Sequence, residues 1–527
     1  MGPAEFMPQC TEKMTKFLRG DIVRSNGVAV MSPPLGEQWP SRRVSVFLVV
    51  LLKEFGKLSP DEGGRVRVRS SLRAVGSLTL IIGSALLASP DSSATTTVTH
   101  SPLPAHAIQH IVVIDFENES ESSLFGASSG ATYLTHVLEP QGTLLTNYFG
   151  IGHASADNYL AQISGQAPNV TSSNDCIVNL STYQGTFNNI RPGTWAANQT
   201  RYPGQIAGLG CVYPSSVLTI GNQLDRLPHP HVRFTWREYA EDMGNSPQRD
   251  GGVADPLGGT DCAHPVQTNG QALDNTNSAT SNDQYVDRHN PFIYFHSVID
   301  NTKYCAVHVV PLGHVIKKSS SYVPVGHLVN DFSSLVTTPE FSFISPNVCN
   351  DGHDSPCVGT DSRGLSQGGT SAINDWLMTW MPVILKSPAY RNGSMMVVIT
   401  SDEGASNDLS AGDGERSGPS NPSPGSSFAQ VFKSASSAMV AVNPRAIPLS
   451  TGGGRVGALL LAPRWIRGGV VNSAGSYNHY SALRTFEDLL GIHSGGADGQ
   501  GHLGYAAVSH DFAASIFSRQ PLHTGSS

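Results

Sequence analysis

The stretch FGIGHASADNYLAQISG, residues Phe149–Gly165, contains a junction between a predicted strand and a predicted helix. The run Thr143–Ile151 is typical of a β-strand, and Asn158–Ile163 is typical of a helix. Ser155 lies between them, where the free N–H groups of a helix N-terminus favour an anion. An ordinary serine cap is the alternative interpretation of this residue taken alone. Whether Ser155 belongs to an anion site or is an ordinary cap therefore depends on the other polar residues of the chain.

Apolar runs in the rest of the chain alternate between predicted strands and predicted helices. The further strands are expected at Ile108–Phe116, His231–Trp236, Phe341–Ile344, Met395–Thr400 and Arg455–Leu461. The further helices are expected at Thr132–Leu138, Ile220–Leu227, Ser371–Leu385 and Tyr480–Leu490. This alternation predicts an α/β fold, a three-layer α/β/α sandwich whose central sheet is mostly parallel and has long loop insertions.

Composition indicates a loop-rich extracellular protein. Hydrophobic residues make up 39% of the 527 residues and charged residues only 14%, with 54 glycines and 34 prolines. The formal net charge is −8, and no basic stripe follows the N-terminal region. Because affinity for a phosphate backbone comes from clustered Lys and Arg, we expect no nucleic-acid partner.

The N-terminal region has the pattern of an export signal. Arginines between Arg65 and Arg73 precede the apolar run Ala74–Ala88, and small residues follow it. This predicts a secretory signal peptide in residues 65–94 and a secreted or cell-envelope protein. The run is shorter than the roughly 20 residues that span a bilayer, so no stable membrane span is expected. Residues 1–64 show no domain pattern, and either a translation start assigned too early or a real extension accounts for them.

Residues 95–527 are expected to form a single domain. Within it, residues 405–454 are rich in Gly, Ser and Pro and predict a long surface loop or lid. Six cysteines lie in this part of the chain, and a seventh, Cys10, lies in the leader. An even number in an exported chain predicts three disulfides, although six thiols allow 15 pairings. Proximity in sequence favours Cys176–Cys211, Cys262–Cys305 and Cys349–Cys357.

Polar residues follow several predicted strands, at the sheet edge where parallel α/β proteins bind ligands. They are Glu117 and Asn118 after the first strand, His153, Ser155 and Asn158 after the second, Asp351, His353 and Asp354 after Phe341–Ile344, Asp402 and Glu403 after Met395–Thr400, and His479 before the last helix. Each has an ordinary structural interpretation, such as a helix cap, a solvated turn or a buried structural histidine. Taken together, they predict one site.

The oxygen-bearing members of this set are suited to a hard cation. Glu117, Asn118, Asp402 and Glu403, together with Ser155, would supply oxygen ligands for one divalent ion of the Mg, Ca or Mn type. A sulfur-rich zinc site is not indicated, because no CxxC motif is present.

Six blocks in this order resemble the bacterial phosphoesterase family of the alkaline-phosphatase-like superfamily, which contains secreted acid phosphatases and phosphatidylcholine-type phospholipases C. The blocks are VVIDFENES (112–120), HASADNYLAQISG (153–165), RHNPFIYF (288–295), PNVCNDGHD (346–354), VVITSDEG (397–404) and NHYSALRTFEDLLG (478–491). The resemblance extends over Ile108–Phe517 and implies an alkaline-phosphatase-like fold.

The resemblance also implies roles for individual residues. Ser155 matches the nucleophile that forms a phosphoserine intermediate. The metal-ligand positions are matched by Glu117, Asn118, Asp402 and Glu403, and the positions that contact phosphate or the leaving group by Asn158, His289, His353 and His479. His153 is a further candidate for substrate binding, and the roles of Asp351 and Asp354 stay open. Ala154 and Asp157 replace the two prolines that usually flank the nucleophile, and Glu119 replaces a common basic residue.

These observations predict a secreted, metal-dependent hydrolase of phosphate monoesters of the acid phosphatase type. Its partner would be a small phosphate ester. A phospholipase C that binds a phospholipid headgroup and cleaves the phosphodiester is the nearest alternative. A secreted binding protein that keeps the fold without catalysis is the second alternative.

Overall fold

The computed structural model describes residues 23–25, 28–30, 103–169, 171–179, 184–192, 203–206, 208–229, 231–246, 249, 251–412 and 452–517. The chain divides into two compact units, Met1–Ser93 and Ala94–Ser527. In the first unit, strands Val23–Ser25 and Val28–Val30 pair antiparallel. The predicted signal peptide, Cys10 and most of the predicted lid, residues 413–451, lie outside the described residues, so the predicted domain division stays a prediction.

The second unit is built around an eight-stranded sheet. Its strands are β1 His110–Phe116, β2 Thr143–Leu145, β3 Trp236–Ala240, β4 Val309–Pro311, β5 Phe341–Ser345, β6 Met395–Ser401, β7 Ala458–Leu461 and β8 Val470–Asn472. The spatial order is β4-β3-β5-β1-β6-β7-β2-β8. Strand β7 runs antiparallel to both of its neighbours, and all the other neighbouring pairs are parallel. The predicted mostly parallel α/β sheet is therefore confirmed.

The central strands β1 and β6 form because their sequences are mostly apolar and rich in β-branched residues. Every residue of both strands is buried, and they pair in parallel along their full lengths. Their side chains alternate between the two faces of the sheet. In β1, Ile111 and Val113 pack into the core on one face, and Val112 and Ile114 pack into the core on the other.

Helices cover both faces, as the three-layer prediction requires. Helix α1, Ser155–Ser164, and helix α3, His479–Leu489, pack on the face of Ile111 and Val113. Helix α2, Gly369–Lys386, packs on the opposite face. The shorter helices are Glu121–Leu124, Leu134–Leu138, Glu139–Gln141, Ser172–Asn174, Ile220–Leu224, Asp287–His289, Pro291–Tyr294, His296–Ile299, Thr302–His308, His327–Asp331, Pro388–Arg391, Gly504–Val508 and Ala514–Ile516.

Small strands outside the central sheet support the loops between these elements. They are Tyr148–Phe149, Ile177–Asn179, Gln184–Thr186, Arg191–Pro192, Gly208–Leu209, Val253–Ala254, Thr260–Asp261, Leu273–Asp274, His314–Lys318, Ser321–Val325 and Tyr477–Asn478. The predicted long strand Thr143–Ile151 was wrong in extent. It is divided into β2 and the short strand Tyr148–Phe149, which pairs with Tyr477–Asn478 instead of joining the central sheet.

The predicted strand His231–Trp236 was misplaced, because the strand of the central sheet is β3, Trp236–Ala240. Two charged side chains inside β3 interrupt the apolar pattern by which a buried strand is predicted. Arg237 forms an ion pair with Asp331 at 2.5 Å, and Glu238 accepts a hydrogen bond from Ser345 at 2.9 Å. Partners elsewhere in the fold thus allow charged residues in a buried strand.

The three predicted disulfides, Cys176–Cys211, Cys262–Cys305 and Cys349–Cys357, are present and confirm the pairing by sequence proximity. Within the described part of the chain, none of the helices combines the length and the apolar composition needed to cross a membrane.

Candidate active site

The carboxyl ends of β1 and β6 bring the first predicted site residues together. Glu117 directly follows β1, and its backbone N–H donates to the Asp351 carbonyl at 2.9 Å. Asp402 directly follows β6, and its backbone N–H donates to the Phe116 carbonyl at 3.0 Å. Backbone hydrogen bonds therefore position residues from three distant segments at one sheet edge.

Ser155 is the first residue of α1 and is only 3% exposed. Its hydroxyl donates a hydrogen bond to Glu117 Oε2 at 2.9 Å. The structure thus joins the predicted nucleophile directly to a predicted metal ligand.

His289 connects two carboxylates next to Ser155. Its Nε2 lies 3.2 Å from Glu117 Oε1, and its Nδ1 lies 3.1 Å from Asp351 Oδ2. The ring stacks on Tyr159 of helix α1, with ring centroids 5.2 Å apart and planes 8° apart. One ligand atom from each of Glu117, His289 and Asp351 lies within 4.8 Å of the others, close enough to share a metal ion. We refer to these three residues as the sheet-edge cluster.

Burial and mutual repulsion disfavour the charged form of the two carboxylates in this cluster, and little positive charge lies near them to compensate. Burial raises the pKa of Glu117, and the charges of Asp402, Asp351 and Asp115 raise it further. Burial also raises the pKa of Asp351. Arg288 is the buried cation that opposes these shifts. Burial, followed by the charges of Arg288 and His353, lowers the pKa of His289, so this imidazole supplies little positive charge.

Asp402 lacks a partner for one of its carboxylate oxygens. Its Oδ1 accepts a hydrogen bond from the Asn118 backbone N–H at 3.2 Å, whereas its Oδ2 is buried and has no hydrogen-bond partner among the described residues. Burial is the main cause that raises the pKa of Asp402 to about 7. A buried carboxylate oxygen without a donor is costly. Glu117, Asp351 and Asp402 therefore fit a bound divalent cation, which would compensate their charge.

The other predicted metal ligands lie around this centre. The Asn118 residue is exposed, has a left-handed φ of 54°, and contributes its backbone N–H to Asp402. Glu403 Oε2 lies 3.4 Å from Nδ1 of His153, and Nε2 of His153 contacts the Asp408 carbonyl at 2.7 Å. The sequence placed all of these residues near the sheet edge, and their part in metal binding stays a prediction.

Two residues predicted to contact substrate have polar atoms that already bind the protein. Asn158 accepts from the Ile151 and Gly152 N–H groups and donates to the Gly152 and Ala154 carbonyls, so it holds the turn before α1. His479 is fully buried between the Asp402 carbonyl at 2.6 Å and the Tyr148 hydroxyl at 3.0 Å. Burial lowers the pKa of His479 to about 4.

His353 is the predicted catalytic histidine that remains partly open. Its side chain is 28% exposed, and its ring centroid lies 6.0 Å from that of His289. Asp354 contacts His353 Nδ1 at 2.8 Å, and Arg288 contacts Nε2 at 3.4 Å. Asp351 therefore belongs to the cluster around His289, whereas Asp354 orients His353.

Asp175 is a neighbour of the nucleophile that the sequence did not indicate. Its Oδ1 accepts a hydrogen bond from the Ala156 N–H at 3.0 Å, immediately after Ser155. Only its position immediately before Cys176, a predicted disulfide cysteine, distinguished it from the many other acidic residues in loops.

A sequence profile described as the phosphoesterase family matches residues 129–493, which contain five of the six blocks and most of the sheet. The chain belongs to the phosphoesterase family. The predicted resemblance is thereby confirmed.

Fungal acid phosphatases are among the relatives of this phosphoesterase. A phosphate-repressible acid phosphatase of Penicillium chrysogenum is 25% identical over 267 residues, which cover 51% of this chain and 42% of that protein. An acid phosphatase of Aspergillus fumigatus is 22% identical over 267 residues and covers 51% of this chain and 40% of its own length. The alignments with this phosphoesterase thus span about two fifths of each relative's length.

Solved structures with a similar arrangement are distant. A protein of the alkaline phosphatase superfamily from Vibrio parahaemolyticus is 11% identical, with a TM-score of 0.36, and the alignment covers 74% of this chain and 68% of that one. A putative sulfatase from Bacteroides thetaiotaomicron is 9% identical, with a TM-score of 0.37, and the alignment covers 79% of this chain and 76% of that one.

Proposed function

We propose that this protein is an exported, metal-dependent hydrolase of phosphate monoesters that uses Ser155 as its nucleophile. The hydrogen bond from Ser155 to Glu117 at 2.9 Å, at the start of helix α1, is the observation that carries the proposal. The family match and the acid phosphatase relatives support the same reaction class. The predicted signal peptide and the three disulfides support export.

Glu117 orients the nucleophile. Because the Ser155 hydroxyl donates to Glu117 Oε2, the oxygen lone pairs of Ser155 point away from that carboxylate and are available to a phosphorus atom. Ser155 is joined to helix α1, whose aligned peptide dipoles favour negative charge near its N-terminus. Attack would form the bond from Ser155 Oγ to phosphorus while the P–O bond to the leaving group breaks, and the hydroxyl proton would pass to Glu117 Oε2. The product is the phosphoserine intermediate that the family resemblance implies, and water would then hydrolyse it to serine and phosphate.

Glu117, Asp402 and Asp351 would hold the divalent cation, with Glu403 and Asn118 as further candidates. Such an ion lowers the pKa of a bound hydroxyl and stabilises negative charge on phosphoryl oxygens. The buried Asp402 Oδ2, which has no donor among the described residues, is the feature of this chain that fits the ion. The ligand chemistry is mainly carboxylate oxygen, which suits Mg, Ca or Mn.

We assign protonation of the leaving group to His353. It is the most exposed of the three predicted catalytic histidines, and the contact at 2.8 Å with Asp354 fixes the orientation of its ring. His479 and Asn158 act as positioning residues in this proposal. His479 holds the Asp402 carbonyl, and Asn158 holds the turn that presents Ser155.

The test is release of nitrophenol and phosphate from 4-nitrophenyl phosphate. Ser155→Ala is expected to lower kcat by at least about 10³-fold, because it removes the attacking oxygen. Ser164→Ala is the matched control, since Ser164 ends the same helix and its hydroxyl donates to the Leu160 carbonyl. Full activity in Ser155→Ala, with the control also active, would exclude Ser155 as the nucleophile.

A further inference from the structure

The first turn of helix α1 receives its cap from another segment of the chain. Ala154 occupies the N-cap position and has no side-chain oxygen to cap the helix. The Asp157 N–H bonds back to the Ala154 carbonyl at 3.2 Å, and the Ala156 N–H donates to Asp175 Oδ1 at 3.0 Å. A carboxylate of the protein therefore occupies the backbone donor beside the nucleophile, where the first turn of a helix favours an anion.

Asp175 is held firmly in this place. It follows the short helix Ser172–Asn174 and has a left-handed backbone, with φ 54° and ψ 28°. The next residue, Cys176, forms a disulfide with Cys211, and its N–H donates to the Thr171 carbonyl at 3.0 Å. The left-handed conformation of a residue other than glycine is uncommon and needs such support.

A second carboxylate of the same turn shows how negative this region is. Asp157 is 1% exposed, and neither of its oxygens has a hydrogen-bond partner in the described part of the chain. Burial raises the pKa of Asp157, and the charge of Asp175 is the next cause. After burial, Asp175 is also among the charges that raise the pKa values of Asp402 and Glu403. The charge of Asp175 therefore reaches Asp157, Asp402 and Glu403. Arg288 is the cation that faces this charge, because Asp175 is the first of the carboxylates that raise the Arg288 pKa.

We propose that Asp175 sets the charge state of the phosphate ester that this site accepts, so that the monoanion is favoured over the dianion. This inference rests on the proposed function. A phosphoryl oxygen bound at the start of helix α1 would compete with Asp175 for the Ala156 N–H and would lie close to the Asp175 carboxylate. Repulsion by that carboxylate is roughly twice as large for a dianionic ester as for a monoanionic one. The second pKa of a phosphate monoester is about 6, so the discrimination lies between mildly acidic and neutral pH.

The variant Asp175→Asn distinguishes the effect of the negative charge of Asp175 from the effect of its hydrogen bond to the first turn of helix α1. Asparagine caps a helix about as well as aspartate does, so the variant can keep the hydrogen bond from Ala156 while losing the negative charge. Asp300→Asn is the matched control, because it makes the same change in net charge at a side chain that is 61% exposed. Steady-state kinetics with 4-nitrophenyl phosphate at pH 5.0 and pH 7.5 give KM and kcat for each variant of the full-length chain.

For the wild type and Asp300→Asn, we expect KM to rise between pH 5.0 and pH 7.5. For Asp175→Asn, we expect KM to be about 10-fold lower than for the wild type at pH 7.5 but only about 3-fold lower at pH 5.0, because half the repulsion corresponds to the square root of the fold-change. The change should be larger in KM than in kcat. Equal KM profiles for Asp175→Asn and the wild type would overturn the inference. A merely structural cap would give that result for Asp175→Asn, together with a lower Tm for Asp175→Ala.

Calorimetric titration with inorganic phosphate separates this inference from the proposed function. If the wild type hydrolyses no ester but Asp175→Asn binds phosphate more tightly at pH 7.5, the proposed function is wrong and the role of Asp175 in anion discrimination stands. If the wild type is active and phosphate binds both proteins equally at pH 7.5, the inference is wrong and the proposed function stands. If neither hydrolysis nor any difference in phosphate binding is found, both are wrong.

Discussion

Two clusters in the described part of this chain each contain a histidine and two carboxylates with ligand atoms within 4.8 Å of one another. The sheet-edge cluster is Glu117, His289 and Asp351. The other, which we call the loop cluster, is Asp255, Asp261 and His327. The residue types are similar, yet the surroundings of the two histidines differ.

In the loop cluster, a neighbouring guanidinium determines which ring nitrogen of the histidine carries the hydrogen. Nδ1 of His327 lies 3.3 Å from Arg237 Nη1, and Nε2 lies 2.8 Å from Asp255 Oδ2. A guanidinium can only donate, so Nδ1 carries the lone pair and Nε2 carries the hydrogen that Asp255 accepts. In the sheet-edge cluster, both ring nitrogens of His289 face carboxylate oxygens. The loop cluster thus satisfies its histidine internally, whereas the sheet-edge cluster has an excess of acceptors.

This comparison shows that a group of ligand residues is not sufficient evidence for a metal site. The outer contacts of each histidine decide whether a nitrogen lone pair or a hydrogen faces the carboxylates. We therefore expect the two carboxylates of the sheet-edge cluster, together with Asp402, to hold the divalent ion, and the loop cluster to act as a hydrogen-bonded support for β3.

The largest contrast is expected in activity. Glu117→Gln should lower kcat/KM toward 4-nitrophenyl phosphate by about 10²–10³-fold, because the amide neither compensates a cation nor orients Ser155 as the carboxylate does. Asp255→Asn is the equivalent change in the loop cluster and should alter kcat/KM by less than about 2-fold. Equal losses in the two variants would contradict the distinction between the clusters.

Beside the loop cluster, we expect a substitution to lower stability instead of activity. Arg237→Met should lower the free energy of unfolding by about 3 kcal/mol, since it leaves the buried Asp331 without its cation. Arg237 and Asp331 side chains are 7% and 8% exposed. Arg233→Met is the control: Arg233 is exposed and lies 4.9 Å from the centre of the same Phe234 ring that Arg237 contacts at 3.6 Å. Urea unfolding of both variants, measured beside kcat/KM, would test whether stability alone is lost.

Removal of the metal should affect only proteins with an intact sheet-edge cluster. Dialysis against EDTA should lower the free energy of unfolding by about 2.7 kcal/mol if the ion had been present at 100 times its dissociation constant. Mn²⁺ or Mg²⁺ should restore both Tm and activity. Asp255→Asn should respond as the wild type does, and Glu117→Gln should show a much smaller change in Tm. An unchanged Tm for the wild type would argue against a bound ion.

The smallest expected effect is the pH response of a buried histidine outside both clusters. His110 begins β1 and donates from Nδ1 to the Pro339 carbonyl at 2.9 Å, and burial lowers its pKa below 6.5. Below about pH 6.5 the unfolded chain binds a proton that the folded chain resists, so His110 lowers stability as the pH falls. His110→Gln should therefore reduce the loss of unfolding free energy between pH 7.5 and pH 5.5 by about 1 kcal/mol or less. An identical pH slope in the variant would show that other groups are responsible.

Much of the fold could be predicted because several elements are encoded locally. Strands β1 and β6 are mostly apolar, β-branched runs that fit a buried sheet position, and helix α1 follows a strand-to-helix junction around Ser155. The three disulfides join cysteines that are neighbours in sequence. The polar residues after these strands could be placed at one edge, since parallel strands end on the same side.

Only the tertiary structure decided the remaining contacts, because they depend on partners that are distant in sequence. Arg237 makes the sequence of β3 too polar to be predicted as a buried strand, and only the fold shows that Asp331 compensates its charge. The 2.9 Å contact of Ser155 with Glu117 and the 3.0 Å contact of Ala156 with Asp175 arise from packing between separate segments. The sequence by itself determined which residue types reach the sheet edge. Folding decided which of them face one another, since hydrogen bonding and charge compensation act through space and leave no local periodicity to detect.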